Sequence, residues 1–200
     1  MKKIKVFFLS LLLIFAVLFS CSAITVLATA KSVSQKVFRL HIVANSNSAE
    51  DQIEKYALRD EILSKCSYIF QNAKDANEAM YLSEQNKEKI LNIAKEFSDR
   101  DIEISIENKF FPTKEYENDI LLPAGNYNAL VIKIGQGKGE NWWCVLFPQI
   151  CLSGSVKNDM EDILNEKELE ITKKPSSKKA SVRFKFIEIF NKIVEDIKSI

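Results

Sequence analysis

The sequence predicts an α+β domain, with helices packed on one face of a small, mostly antiparallel sheet, behind an N-terminal signal or anchor helix. Three patterns predict it. Lys2, Lys3 and Lys5 are followed by an uncharged stretch from Val6 to Ala30. Asp101-Ile102-Glu103-Ile104-Ser105-Ile106-Glu107 alternates strictly, the period of a half-buried strand. Residues 49–71 and 76–97 carry apolar side chains at helical spacing.

The first element is an export segment: a cationic start, then an apolar core. Three fates are open to it. Ala28-Thr29-Ala30 before Lys31 fits a small-x-small cleavage site, Leu18-Phe19-Ser20-Cys21 is a loose lipidation motif at Cys21, and an uncut segment is long enough to span a bilayer. In each case the lysines stay cytoplasmic and residues 31–200 are exported. The full chain has 28 basic and 27 acidic residues. Without the first thirty, the rest carries 25 basic and 27 acidic residues, a net of −2, and nothing in it recruits nucleic acid. Its length suits one domain with its own core.

Val37 to Ala44 reads as a short strand ended by Asn45-Ser46-Asn47-Ser48, and Ser48 with Asp51 three residues on resembles a capping box. The helix that follows, 49–71, is expected to turn Ile53, Ala57, Ile62 and Cys66 inward and Glu54, Lys55, Arg59 and Asp60 outward. The 76–97 segment reads as one helix with Ala79, Leu82, Ile90, Ile93, Ala94 and Phe97 inward. After the 101–107 strand comes a loop through Pro112 to Gly125, then a strand from Asn126 to Ile134. The turn Gly135-Gln136-Gly137-Lys138-Gly139 and a strand from Trp142 to Phe147 complete what reads as an antiparallel hairpin. Residues 153–180 are expected to be a mobile, lysine-rich excursion. A closing helix from Val182 to Ile200 carries Phe186, Ile189, Phe190, Ile193 and Ile197 inward.

Candidate chemistry concentrates in Asn141 to Cys151, which holds both tryptophans and two of the four cysteines. The glycine spacing is not a nucleotide fingerprint, because a β-type run follows where a helix is required. No metal site or other cofactor is expected, since His41 is the sole histidine and no C-x2-C spacing occurs. Outside the membrane, Cys144 and Cys151 are close enough in sequence for a disulfide, and the alternative is that they stay reduced in the core. His41 and Cys144 form a conceivable base and nucleophile, with Asn45 or Asn141 orienting the imidazole. Trp142 and Trp143, adjacent on a strand, point to opposite faces, so coverage of one face alone exposes an indole suited to a partner. Phe110-Phe111-Pro112 is a second place where adjacent aromatics leave an apolar side chain at the surface.

Several blocks in order resemble the stage II sporulation protein R family. They are Phe38-Arg39-Leu40-His41-Ile42-Val43-Ala44-Asn45-Ser46-Asn47-Ser48, Asp51-Gln52, Arg59-Asp60, Leu122-Pro123-Ala124-Gly125, Tyr127, Ala129-Leu130, and Ile134-Gly135 to Gly139. Asn141 to Pro148, Cys151 and Val182-Arg183-Phe184-Lys185 complete the set. The resemblance implies a messenger exported from the forespore into the space between the two membranes around it. Its implied partner is a membrane-embedded aspartic protease of the mother cell that cleaves the precursor of sigma factor E. It implies no catalytic residues, and the partner-binding residues expected from the sequence are Trp142, Trp143, Arg39, His41 and Asn45. The competing reading is an extracytoplasmic thiol hydrolase built on Cys144 and His41.

Overall fold

The computed structural model describes residues 2–116, 119–150, 160–173, 185 and 187–190. The class is α+β, as the periodicities predict. Helix α1 (Lys2–Gln35) is continuous for 34 residues, about 50 Å at 1.5 Å per residue. Its apolar part, from Ile4 on, is the helix among the described residues that is long and apolar enough to cross a membrane. Its last turns do not hang free: Ala30 and Val33 are buried, and Val26 and Leu27 pack partly buried beside them.

The four-stranded sheet contains β1 (Phe38–Val43), β2 (Ile102–Phe111), β5 (Gly125–Ile134) and β6 (Asn141–Phe147), in the order β2-β5-β1-β6. The predicted hairpin of β5 and β6 is not formed. β1 lies between them, parallel to β5 with Leu40 opposite Leu130, and antiparallel to β6 with His41 opposite Trp143. All six residues of β1 are buried, as a central strand covered on both faces requires. The connection from β5 to β6 therefore crosses the end of β1 instead of making a tight turn. The predicted 101–107 strand is present and longer, paired antiparallel to β5 over its full length. The region expected to be a loop holds a two-stranded ladder, β3 (Lys114–Glu115) with β4 (Leu121–Leu122).

Three helices cover one face: α2 (Ala49–Phe70), α3 (Ala76–Gln85) and α4 (Lys87–Phe97). Their inward side chains meet Phe38, Leu40, Ile42, Leu130, Ile132 and Ile134 in the main core; each fully buried large apolar side chain contributes about 1.5–3 kcal/mol. The expected inward face of α2 needs correction. Ile53 is 68% exposed and Lys55 only 1%. The step from Ala57 to Ile62 is about 140° out of phase at 100° per residue, whereas Lys55, Leu58, Ile62, Cys66 and Ile69 are spaced by three or four and all turn inward. The 76–97 segment is two helices. The break falls at Asn86, whose backbone leaves the helical region (φ −106°, ψ 10°) and whose side-chain amide donates to the Leu82 carbonyl at 2.8 Å beside its own backbone N–H at 3.1 Å. Ile90 and Ala94 are buried as expected, while Phe97 is 41% exposed.

The other face is covered too. The end of α1 packs with α5 (Met160–Ile163), α6 (Glu166–Thr172), Phe111, Tyr127, Ala129, Val131 and Val145. Residues 160–173, expected within a mobile excursion, are thus ordered, with Met160, Leu164 and Ile171 buried. Asn165 and Glu168 form a capping box at α6, and the Glu168 carboxylate accepts from Ser32 Oγ at 2.6 Å and Lys36 Nζ at 2.7 Å, tying α6 to the end of α1. Of the closing helix, Ile187 is buried while Ile189 and Phe190 are exposed. The expected positions Phe186, Ile193 and Ile197 lie outside the described residues, as does the rest of the 153–180 stretch.

Candidate partner-binding site

Because β1 is central, its side chains alternate between two cores. Phe38, Leu40 and Ile42 enter the helix-covered core; Arg39 and His41 point to the other face. Arg39 is fully buried. Its guanidinium carbon lies 4.1 Å from the centre of the Phe111 ring, 4.9 Å from that of Tyr127 and 5.8 Å from that of Tyr116. One Nη2–H donates to the Tyr116 hydroxyl, while Nε and Nη1 have no acceptor. Aromatic faces attract the flat face of the cation, but the in-plane N–H groups need in-plane acceptors. A buried arginine without a carboxylate is expensive, by several kcal/mol, and Arg39 forms no ion pair among the described residues.

His41 lies two residues on, with Nε2 2.6 Å from the Asn141 side-chain oxygen. Burial pushes its pKa below the ordinary 6.5, and the bond to Asn141 opposes that in part. Its ring packs against Phe111 and Trp143, with centroids 5.8 and 6.1 Å away. The expected orientation by Asn141 is present. The expected nucleophile is not: His41 pairs with Trp143 across the ladder and Leu40 pairs with Cys144. Cross-strand partners share a face and neighbours alternate, so Cys144 enters the main core while His41 lies on the opposite side of the sheet. They cannot act as a base and nucleophile. Cys151 lies outside the described residues.

Trp142 and Trp143 follow the same alternation. Trp142 packs on the main core and Trp143 on the second, and both remain half-buried because β6 is the edge strand. Around that edge runs an open groove of about 810 Å³, lined by Arg59, Leu63, Lys114, Tyr116, Trp142 and Trp143 among others. Each indole carries a cation: the Arg59 guanidinium is 5.3 Å from the Trp142 ring and Lys114 Nζ is 5.9 Å from the Trp143 ring. Arg59 also pairs with Asp60 at 2.7 Å, whereas Lys114 has no ion pair among the described residues. Of the five residues expected to bind a partner, Trp142 and Trp143 line this groove, while Arg39 and His41 are buried behind it, Arg39 bonded to Tyr116 of the lining and His41 packed on Trp143. The expectation at Phe110-Phe111 divides, with Phe111 buried as the ring beneath Arg39 and Phe110 half-buried.

Asn45 is elsewhere, and the structure gives it a different task. Its side-chain oxygen accepts from Gln136 N at 2.9 Å and its amide donates to Asp51 at 2.8 Å. Asn47 accepts from Glu140 N at 2.7 Å. The backbone adds Gly139 N to Ala44 O at 2.8 Å and Lys138 N to Asn45 O at 3.1 Å. Asp51 also receives Ser46 Oγ at 2.5 Å and Arg100 Nη2 at 2.7 Å. Gln52 donates to the Ser46 carbonyl at 2.8 Å, and buried Lys55 links Gln52 to the Glu140 carbonyl. The Asn45-Ser46-Asn47-Ser48 and Gly135–Gly139 segments are therefore two halves of one clamp, which holds the crossover over the end of β1. Sequence reasoning missed Tyr116, Lys114 and Arg59 at the groove. Each is an ordinary polar or aromatic residue in its own segment, and only the fold brings them to the edge of β6.

A protein named stage II sporulation protein R from Bacillus subtilis (strain 168) is 34% identical over 139 residues, 65% of this chain. The chain covers 62% of that relative's length. No solved structure matches. A family model described as stage II sporulation protein R matches residues 34–158, more than half of the chain, from the end of α1 through every strand of the sheet. On that match the chain belongs to the stage II sporulation protein R family.

Proposed function

We propose that the chain is an exported signalling protein of sporulation. It activates a membrane-embedded aspartic protease of the mother cell, which then cleaves the precursor of sigma factor E. The observation that carries this reading is the family match across the whole sheet. Two features support it: α1 is suited to export or anchoring, and the edge of β6 offers two half-buried indoles beside a groove. Activation requires that the chain bind the active form of the protease more tightly than the inactive one. We further propose a Cys144–Cys151 disulfide that pins the end of β6. Cys21 and Cys66 are free thiols whereas Cys144 is bonded, which supports it.

The test is performed in sporulating cells in which this chain is the sole copy, following precursor cleavage by immunoblot. Deletion should abolish cleavage and the wild-type chain should restore it. Trp143→Ala should lower cleavage at least about tenfold at equal protein level, as truncation of an interface hot spot does. Normal cleavage in cells without the chain would refute the function. Normal cleavage with both tryptophans replaced would remove the indoles from it.

A further inference from the structure

We infer that the Arg39 guanidinium is the receptor for a carboxylate on an acidic segment of the partner, reached through the groove at the edge of β6. The inference rests on the proposed function for the existence of the partner and adds the chemistry of its docking segment. Three observations carry it. Of the five N–H groups of Arg39, the three at Nε and Nη1 have no acceptor although the residue is fully buried. Its one bonded partner, Tyr116, is a neutral hydroxyl that lines the groove, so the cation is a single side chain away from the opening. Lys114, on the same wall, has no carboxylate partner among the described residues and rests on Trp143; the groove also carries Asp60, which is paired with Arg59, and Glu115.

The aromatic box accounts for part of Arg39 and not for the rest. Phe111, Tyr127 and Tyr116 supply ring faces; none supplies an acceptor to Nε or Nη1. Tyr127 spends its hydroxyl on the Pro123 carbonyl at 2.6 Å. A carboxylate matches what is left, because its two oxygens accept in plane from a guanidinium edge and carry the missing charge. An apolar or cationic partner would leave Arg39 and Lys114 as they are. Tyr116 sits beside a ladder of two residues per strand, β3 with β4. Such a short ladder has little stability of its own, and entry of a carboxylate requires the Tyr116 side chain, which packs partly buried against both cores, to move aside.

The full chain in detergent micelles, excited at its tryptophans, is titrated with acetyl-Glu-Phe-Glu-amide and with the neutral acetyl-Gln-Phe-Gln-amide. The acidic peptide should give a saturable change in emission, and the neutral one should bind at least about tenfold more weakly, since the discrimination is a charge-assisted bidentate pair. Arg39→Gln should lose that discrimination. Tyr116→Phe, which frees one more donor and leaves the core intact, should bind the acidic peptide at least as tightly as the wild type. Equal response to both peptides, no saturable response, or unchanged discrimination in a folded Arg39→Gln chain overturns the inference. Cells carrying Arg39→Gln and Tyr116→Phe separate this from the signalling reading. Peptide binding lost in Arg39→Gln with precursor cleavage normal shows that the partner does not use this site, while the signalling function stands. Normal cleavage in cells lacking the chain refutes signalling and leaves the peptide result in place.

Discussion

Replacing Gly139 by Ala should destabilise the domain more than the same change at any other glycine of the crossover. A Cβ at Gly139 would stand 2.7 Å from the Ser46 carbonyl carbon and 2.8 Å from Ala44 Cβ. The obstructing atoms are largely backbone, so the crossover must lift. Three hydrogen bonds lie next to the contact: Gly139 N to Ala44 O, Lys138 N to Asn45 O, and Glu140 N to the Asn47 side chain. At about 1 kcal/mol net for each, lifting the loop costs about 3 kcal/mol, and a domain of this size loses roughly 2–4 °C in Tm per kcal/mol. The expected fall is about 6–12 °C. Gly135→Ala places a side chain at φ 55° and pushes on the Asn45 side chain that accepts from Gln136, about 2 kcal/mol in total. Gly125→Ala meets Tyr127 Cε2 at 3.7 Å, an ordinary contact, and should melt with the wild type. The assay is near-UV circular dichroism of the full chain in micelles, which follows the tryptophans and not α1. A Gly139→Ala chain melting within about 2 °C of the wild type, or no lower than Gly125→Ala, would refute the clamp.

Asp51 predicts the acid limb. Hydrogen bonds from Ser46 and Asn45 hold its carboxyl below the ordinary 3.8. As pH falls the unfolded carboxyl takes up its proton first, so this stabilisation is complete above about pH 5 and disappears as pH passes through the folded value. Urea midpoints of wild type and Asp51→Asn should converge between pH 5 and pH 2.5, about the range in which such a carboxylate loses its charge; a constant separation would refute the assignment. Cys66 predicts thiol reactivity. Burial raises its pKa from 9.0 to about 11, so iodoacetamide at pH 8 should reach Cys66 only in urea. Mass spectrometry of the labelled peptides checks this, and equal labelling without urea would place Cys66 outside the core.

Much of this fold can be read along the chain. Period-two alternation locates β2, and the Asn-Ser-Asn-Ser segment with Asp51 locates the start of α2, where Ser48 accepts from Asp51 N at 3.2 Å. An uncharged run after three lysines is enough to locate α1. The inward faces of α2 and the closing helix were harder to read, because apolar residues such as Ile53 and Ile189 occur off the buried stripe. The β5–β6 hairpin was misread for a different reason. A glycine-rich turn between two β-type runs has the same local signature whether the runs pair directly or straddle a third strand. That choice depends on Phe38–Val43, about ninety residues earlier, filling the gap between them.

The candidate site divides along the same line. Sequence alone determined that Arg39 and His41 are polar residues in an apolar strand, that adjacent tryptophans face opposite ways, and which family the blocks resemble. Only the tertiary structure decided that Cys144 and His41 stand on opposite sides of the sheet, that Asn45 is a clamp residue, and that Arg39 is a buried cation with open donors. The reason is physical. Side-chain alternation is a local property of any strand, whereas the partners across each face come from β5, β6, β2 and Tyr116 just after β3, which approach β1 from distant parts of the chain.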